Sequence, residues 1–144
     1  IGGFQTVIPE VDAHEPTAVT RIVLCGGKVY YDLLEKRREL GRSDVAIIRI
    51  EQLYPFPEER LIEVLKPYVN VEHIVWCQEE PMNQGAWYST RHRFQRVTAA
   101  WNPAREIRYV GRPASAAPAC GSAYLHSAQQ TALLHDALNL NTHL

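Results

Sequence analysis

The sequence predicts an α/β domain: a mostly parallel sheet flanked by helices on both faces, three layers in all. Two observations lead there. Four short runs, residues 21–25, 45–50, 73–77 and 107–110, are apolar nearly throughout rather than alternating, as strands buried on both faces are. The segments between them carry a helical period, and strands joined through helices run parallel. The scale agrees: 144 residues make about one domain, long enough to bury roughly two-thirds of the unfolded surface.

Taken in order, Ile22, Val23, Leu24 and Cys25 form the first apolar run, followed at once by Gly26-Gly27. Residues 29–40 pair Val29 with Leu33 and Tyr30 with Leu34 at helical spacing. They put Asp32, Glu35, Lys36 and Glu39 on a charged face and meet Gly41 as a stop. Residues 45–50 are the second strand, and Pro55 and Pro57 punctuate the loop after it. Pro57 suits the first position of a helix, with Glu58 and Glu59 at its positive end. That helix turns Leu61, Ile62 and Leu65 inward and stops near Pro67. Residues 73–77 are the third strand, Gln78 to Gly85 a polar loop, and residues 86–97 a helix with Trp87, Phe94 and Val97 as its apolar contacts. Residues 107–110 are the fourth strand, 111–122 a small-residue loop, and 123–139 a closing helix with Leu134/Leu138 and Leu133/Ala137 stacked at i, i+4.

Composition narrows the function classes. Hydrophobic residues at 46% and charged residues at 22% are those of a folded domain rather than a disordered chain. No apolar run is long enough to span a membrane. The opening Ile1-Gly2-Gly3-Phe4 has neither the basic nor the apolar region of a signal peptide. With Met82 as the only Met, the chain reads as a piece of a longer protein. The net charge of −1 divides into −5 over residues 1–80 and +4 over residues 81–144, a split able to orient the domain against a charged neighbour. The basic half is too sparse for a nucleic-acid surface. Cys25, Cys77 and Cys120 are odd in number and widely spaced, which fits reduced thiols of an intracellular protein.

The candidate chemistry is thin. Gly26-Gly27-Lys28 sits between a strand and a helix, where backbone N–H groups bind anions, but it matches neither GxGxxG nor GxxxxGK[ST]. Tight-turn glycines beside a solvated Lys explain it more simply. The loop from Gln78 through Glu79, Glu80, Met82, Asn83 and Gln84 follows the carboxyl end of a strand, where open α/β sheets place binding residues. Adjacent Glu side chains in extended backbone point apart, so a partner contact fits better than a shared-proton pair. His92 and His126 have no second ligand at helical spacing, and no serine sits in GxSxG. By spacing alone there is no catalytic set and no metal site.

Longer segments are more specific. Residues 27–34, 44–57, 76–87 and 111–119, with the run from His126 through Gln129-Gln130 to Asp136 and Asn139, resemble 2-oxoglutarate dehydrogenase. This family comprises the thiamine-diphosphate-dependent decarboxylating component of a citric acid cycle complex. The likeness runs in order over residues 4–140, at the extreme carboxyl terminus of the family's polypeptide.

The resemblance implies a transketolase-type C-terminal domain over residues 21–140, with 1–20 a lead-in segment and 141–144 a tail. It implies that thiamine diphosphate and Mg²⁺ are bound upstream, so no catalytic, cofactor or metal residue is carried onto this sequence. The implied parent decarboxylates 2-oxoglutarate and transfers succinyl to a lipoyl group. The domain's implied partners are the rest of its own chain, its twin in a homodimer and the dihydrolipoamide succinyltransferase component. The bacterial cytoplasm is favoured over the mitochondrial matrix. Some members respond to nucleotide or acyl-CoA effectors, and Gln52 and Arg60 fall where such contacts occur. Here the turn reads Glu58-Glu59-Arg60, where effector-responsive relatives carry basic residues.

Two readings follow: an assembly domain inactive alone, or a stand-alone effector-binding module using Gly26, Gly27, Lys28 and Arg112. For the first, Tyr54, Phe56, Met82, Trp87 and Trp101, with Glu79, Glu80, Asn83 and Gln84, are the expected interface. The isolated domain is then expected to self-associate weakly through that edge.

Overall fold

The computed structural model describes residues 5–112 and 123–139, with side chains from residue 127 onward in the second stretch. In chain order it contains β1 (Val7–Ile8), a 3-10 turn (Pro16–Ala18), β2 (Arg21–Cys25), α1 (Val29–Leu40), β3 (Val45–Ile50) and α2 (Glu58–Leu65). These are followed by β4 (His73–Pro81), α3 (Trp87–Trp101), β5 (Ile107–Arg112) and α4 (Ala123–Leu138). The strands form one sheet in the order β1-β3-β2-β4-β5. All neighbours run parallel except β1, which lies antiparallel on β3. The predicted α/β class and mostly parallel sheet are therefore observed.

Strict alternation sorts the apolar runs to two faces. Ile22, Leu24, Ala46, Ile48, Ile74 and Trp76 join Leu61, Val64, Leu65, Phe94 and Val97 in the core beneath α2 and α3. Val23, Cys25, Val45, Ile47, Val75 and Cys77 face the other way. They pack under α1 and α4 with Leu33, Leu133, Ala137 and Leu138. A one-residue slip in any central strand would exchange these two sets. The flush register, with Cys25 level with Arg49 and Cys77, fixes where the strands end. Among the described residues no helix is long and apolar enough to cross a membrane.

Several boundaries differ from the sequence reading, each for a physical reason. Nothing in the local pattern marks β1, yet Val7 is fully buried and Val7 and Ile8 pair with Ile50 and Arg49. The stretch expected to be a polar loop from Gln78 begins instead as strand: β4 runs on to Pro81, and Pro81 pairs with Arg112 across a register shift. Pro57 precedes the first helical residue, and Val64 rather than Ile62 is the third buried side chain of α2. The third helix continues to Trp101, its first turn beginning one residue later than expected. The small-residue loop lies outside the described residues from 113 onward, as does the tail at 141–144.

Arg21 binds the end of the last helix, Nε donating to the Ala137 carbonyl at 2.7 Å and Nη2 to that of Asp136 at 3.0 Å. On the same face, toward the β1 edge, Arg37 is 1% exposed on α1. It donates to both carboxylate oxygens of Glu10 and to Asp12 at 2.7 Å, fastening the segment after β1.

Candidate functional site

Chain order and spatial order part company at the sheet's carboxyl end. From β2 the chain crosses to β3 on one side, then passes back over β2 to β4 on the other. Divergence of neighbouring connections opens a crevice at such a point. Here it is a cleft of about 500 Å³ between Gly26 and Gly27 after β2, Arg49 and Glu51 at the end of β3, and Trp76, Gln78 and Glu80 on β4.

Gln78 builds one wall. It is 2% exposed and uses every polar atom of its amide. Its Oε1 accepts from Trp76 Nε1 at 2.8 Å and from the Trp87 amide at 3.2 Å. Its Nε2 donates to the carbonyls of Glu80, Pro81 and Gln84 at 3.1, 3.0 and 2.8 Å. One side chain thus holds the turn between β4 and α3 and the first turn of α3. Two glycines let the turn close on it. Gly85 has φ +68, and a Cβ there would come within 3.2 Å of both Gln78 Nε2 and the Glu80 Cβ. A Cβ at Gly111 would stand 2.7 Å from the Gln78 carbonyl oxygen.

The opposite wall is cationic but occupied. Arg49 stacks over the rings of Tyr30 and Tyr31 at 5.1 and 5.0 Å and donates to the Tyr31 hydroxyl at 3.0 Å. Its Nε lies 2.5 Å from Glu51. Glu79 and Glu80 turn to opposite sides, as extended backbone requires. Glu79 accepts from Gln130 of α4 at 2.8 Å, while Glu80 lines the cleft.

Little of this can make or break bonds. The Ser89 hydroxyl donates to the Ala86 carbonyl at 3.1 Å. Burial pushes the Cys77 thiol up to about 12, with Glu79 and Asp136 adding to it, and burial also raises Cys25. Neither thiol is a thiolate near neutrality, so neither is a ready nucleophile. Glu10, Asp12 and His14 approach one another closely enough to suggest a metal site. The two carboxylates, however, already receive Arg37 and Arg38. With Arg49 neutralised by Glu51 as well, neither group fits a magnesium diphosphate.

The structure distributes the sequence candidates unevenly. Of the effector candidates, Gly27 lines the cleft, while Lys28, Gln52, Arg60 and Arg112 do not. Lys28 stands just before α1 without a side-chain capping bond, and Gln52 donates to the Pro55 carbonyl. Arg60 pairs with Glu63 at 2.7 Å, and Arg112 ends β5, its carbonyl receiving the Met82 amide. Of the expected interface residues, Tyr54 is 91% exposed. Phe56 and Trp87 turn back onto Phe94, and Trp101 leans on the same core. Met82 is half-buried, and Asn83 and Gln84 are exposed on the turn. Sequence reasoning missed Gln78 as the organiser. The available signal was an amide directly after five strand residues and seven before a glycine.

A sheet that is parallel except for one antiparallel edge strand, with a crevice at its carboxyl end, defines an open α/β domain. The chain belongs to the 2-oxoglutarate dehydrogenase C-terminal family, whose family model matches residues 2–138. It is 59% identical over 140 residues to the 2-oxoglutarate dehydrogenase E1 component of Azotobacter vinelandii, covering 97% of this chain and 15% of that protein. To the E1 component of Haemophilus influenzae it is 56% identical over 138 residues, covering 96% and 14%. For that of Coxiella burnetii the identity is 48% over 141 residues, covering 96% and 15%. The chain therefore spans about one-seventh of the length of these curated relatives.

Proposed function

We propose that this chain is the assembly domain of a 2-oxoglutarate dehydrogenase E1 polypeptide. The observation that carries the reading is the pairing of coverage: nearly all of this chain aligns, yet it accounts for 15% of the relative. The parent is proposed to decarboxylate 2-oxoglutarate and pass the succinyl group to a lipoyl carrier. Thiamine diphosphate supplies the carbanion chemistry when bound. Because the clusters described above do not fit a magnesium diphosphate, the cofactor is assigned to segments upstream, and no step is routed through this domain.

The exposed Tyr54 and the turn held by Gln78 lie at one sheet end and are proposed to meet the rest of the chain and its twin in a homodimer. The succinyltransferase component is the proposed third partner. Bacterial relatives make the bacterial cytoplasm the proposed location. An effector contact at Gly27, Lys28, Gln52, Arg60 and Arg112 is the lesser reading, since one of the five lines the cleft.

The test is carbon dioxide release from 2-oxoglutarate with thiamine diphosphate and Mg²⁺ added. Residues 1–144 alone are expected to give none, the full-length polypeptide to turn over, and the polypeptide without these residues to lose its dimer. Turnover by residues 1–144 alone would refute the assignment.

A further inference from the structure

We infer that the groove between α3 and β5 receives an extended, acidic segment of a separate polypeptide, which adds to the open edge of β5 as a further strand. Among the described residues β5 pairs with β4 alone. Every second residue of its six directs backbone N–H and C=O groups away from the sheet, the template on which β-addition is built. Beside this edge lies a groove of about 570 Å³ floored by Phe94, Ile107 and Tyr109. An added strand would set alternate side chains into it.

Charge selects the occupant. Of the six arginines in the basic half of the chain, Arg93 and Arg96 are held by Glu58. Arg91, Arg105 and Arg108 all line the groove, against Glu106 as the one acid among its described lining residues. Arg105 donates through Nη1 to the Glu72 carbonyl at 3.1 Å, but its buried Nε has no hydrogen-bond acceptor among the described residues. An orphaned cationic donor of that kind is costly unless something fills it, and a carboxylate matches it best. The same charges disfavour a second copy of β5, since like charges facing across a strand pair repel. The rim also argues for a separate partner over permanent burial against the parent chain. Obligate interfaces resemble a cut core, whereas arginine over an aromatic floor suits contacts that form and dissolve.

The probe is a fluorescein-labelled octapeptide of alternating Val and Glu, titrated into the full-length polypeptide and read by fluorescence anisotropy, without reference to turnover. Saturable binding that weakens with salt is expected, with no binding of the Val-Lys counterpart. Arg108→Glu lies at an exposed position and should leave the thermal midpoint unchanged while weakening binding by about tenfold or more. Arg105→Gln is the milder second variant. A Val-Glu peptide N-methylated at alternate residues keeps its charge but cannot join the ladder, and should not bind. Equal binding of the methylated peptide would reduce the groove to an anion patch and overturn strand addition. No binding to the full-length polypeptide, or binding unaltered by Arg108→Glu, would overturn the assignment altogether.

Discussion

Arg37 on α1 and Gln78 on β4 are both buried, and each ties a stretch of irregular chain to the sheet, but with opposite electrostatics. Arg37 holds residues 10–12 through two carboxylates and also donates to the Val45 carbonyl at 3.1 Å. Gln78 holds residues 80–87 with a neutral amide. A buried cation is stable only while its anions stay ionised and in place, and removing one member strands the others. A satisfied amide has no such dependence on charge. The segment near the amino terminus is therefore a pH-sensitive clasp, and the turn beside the cleft a pH-indifferent one.

The comparison breaks first at Arg37. Arg37→Met leaves the Glu10 side chain, 5% exposed, without its cation, and should cost about 3–5 kcal/mol by urea denaturation. Adding Glu10→Gln should recover part of that loss. Full additivity of the two changes would show that the clasp is not a coupled pair.

Acid should erode the clasp in the parent chain. The hydrogen bond from Arg38, ahead of that from Arg37, holds the Asp12 carboxyl well below the usual range. A depressed folded-state pKa stabilises fully above the unfolded value of about 3.9, and the stabilisation is lost as pH falls toward the folded one. The difference between Arg37→Met and the parent should accordingly shrink below about pH 4. The penalty of Gln78→Leu, about 2–3 kcal/mol from stranded groups around the turn, should stay flat over the same range. Hydrogen exchange should localise that loss to amides near 84–87; uniform acceleration would contradict a local role for Gln78.

Gly85→Ala should cost about 1–2 kcal/mol, from its positive φ and the crowding against Glu80. The smallest effect is expected at the thiols. Cys25 and Cys77 are fully buried, so a maleimide should reach them only as the domain opens, as peptide mapping can follow. Rapid native labelling at either would place an opening at the sheet's carboxyl end.

The strands of the central sheet were legible because each is apolar on both faces, and α1 because Gly41 stops it with φ 64 in the left-handed region. What escaped was long-range. Arg37 stands beside Arg38 in a run that reads as a solvated helix face, and its burial depends on Glu10, 27 residues away. Gln78 looks like the first residue of a loop because β4 outruns its apolar stretch, and only the folded turn shows where its five hydrogen bonds go. β1 has two residues and no period to detect. The sheet end that carries the cleft was readable because the Gln78–Gly85 stretch follows the carboxyl end of a strand. The side chains that shape it were not, since amides carry no periodic signature.

The reach of Arg21 across 116 residues to the end of α4 bears on how the chain is made. On a ribosome releasing roughly 5–20 residues per second, the face under α2 and α3 has its side chains in hand once β5 has emerged. The face under α1 waits for Leu133, Ala137 and Leu138, which are almost wholly buried there. Until then Val75 and Cys77 lack their cover, and the latch on β2 has nothing to grip. A nascent chain stalled before residue 123 is thus the species that holdase chaperones should seize, and α4 is the seal whose arrival releases it.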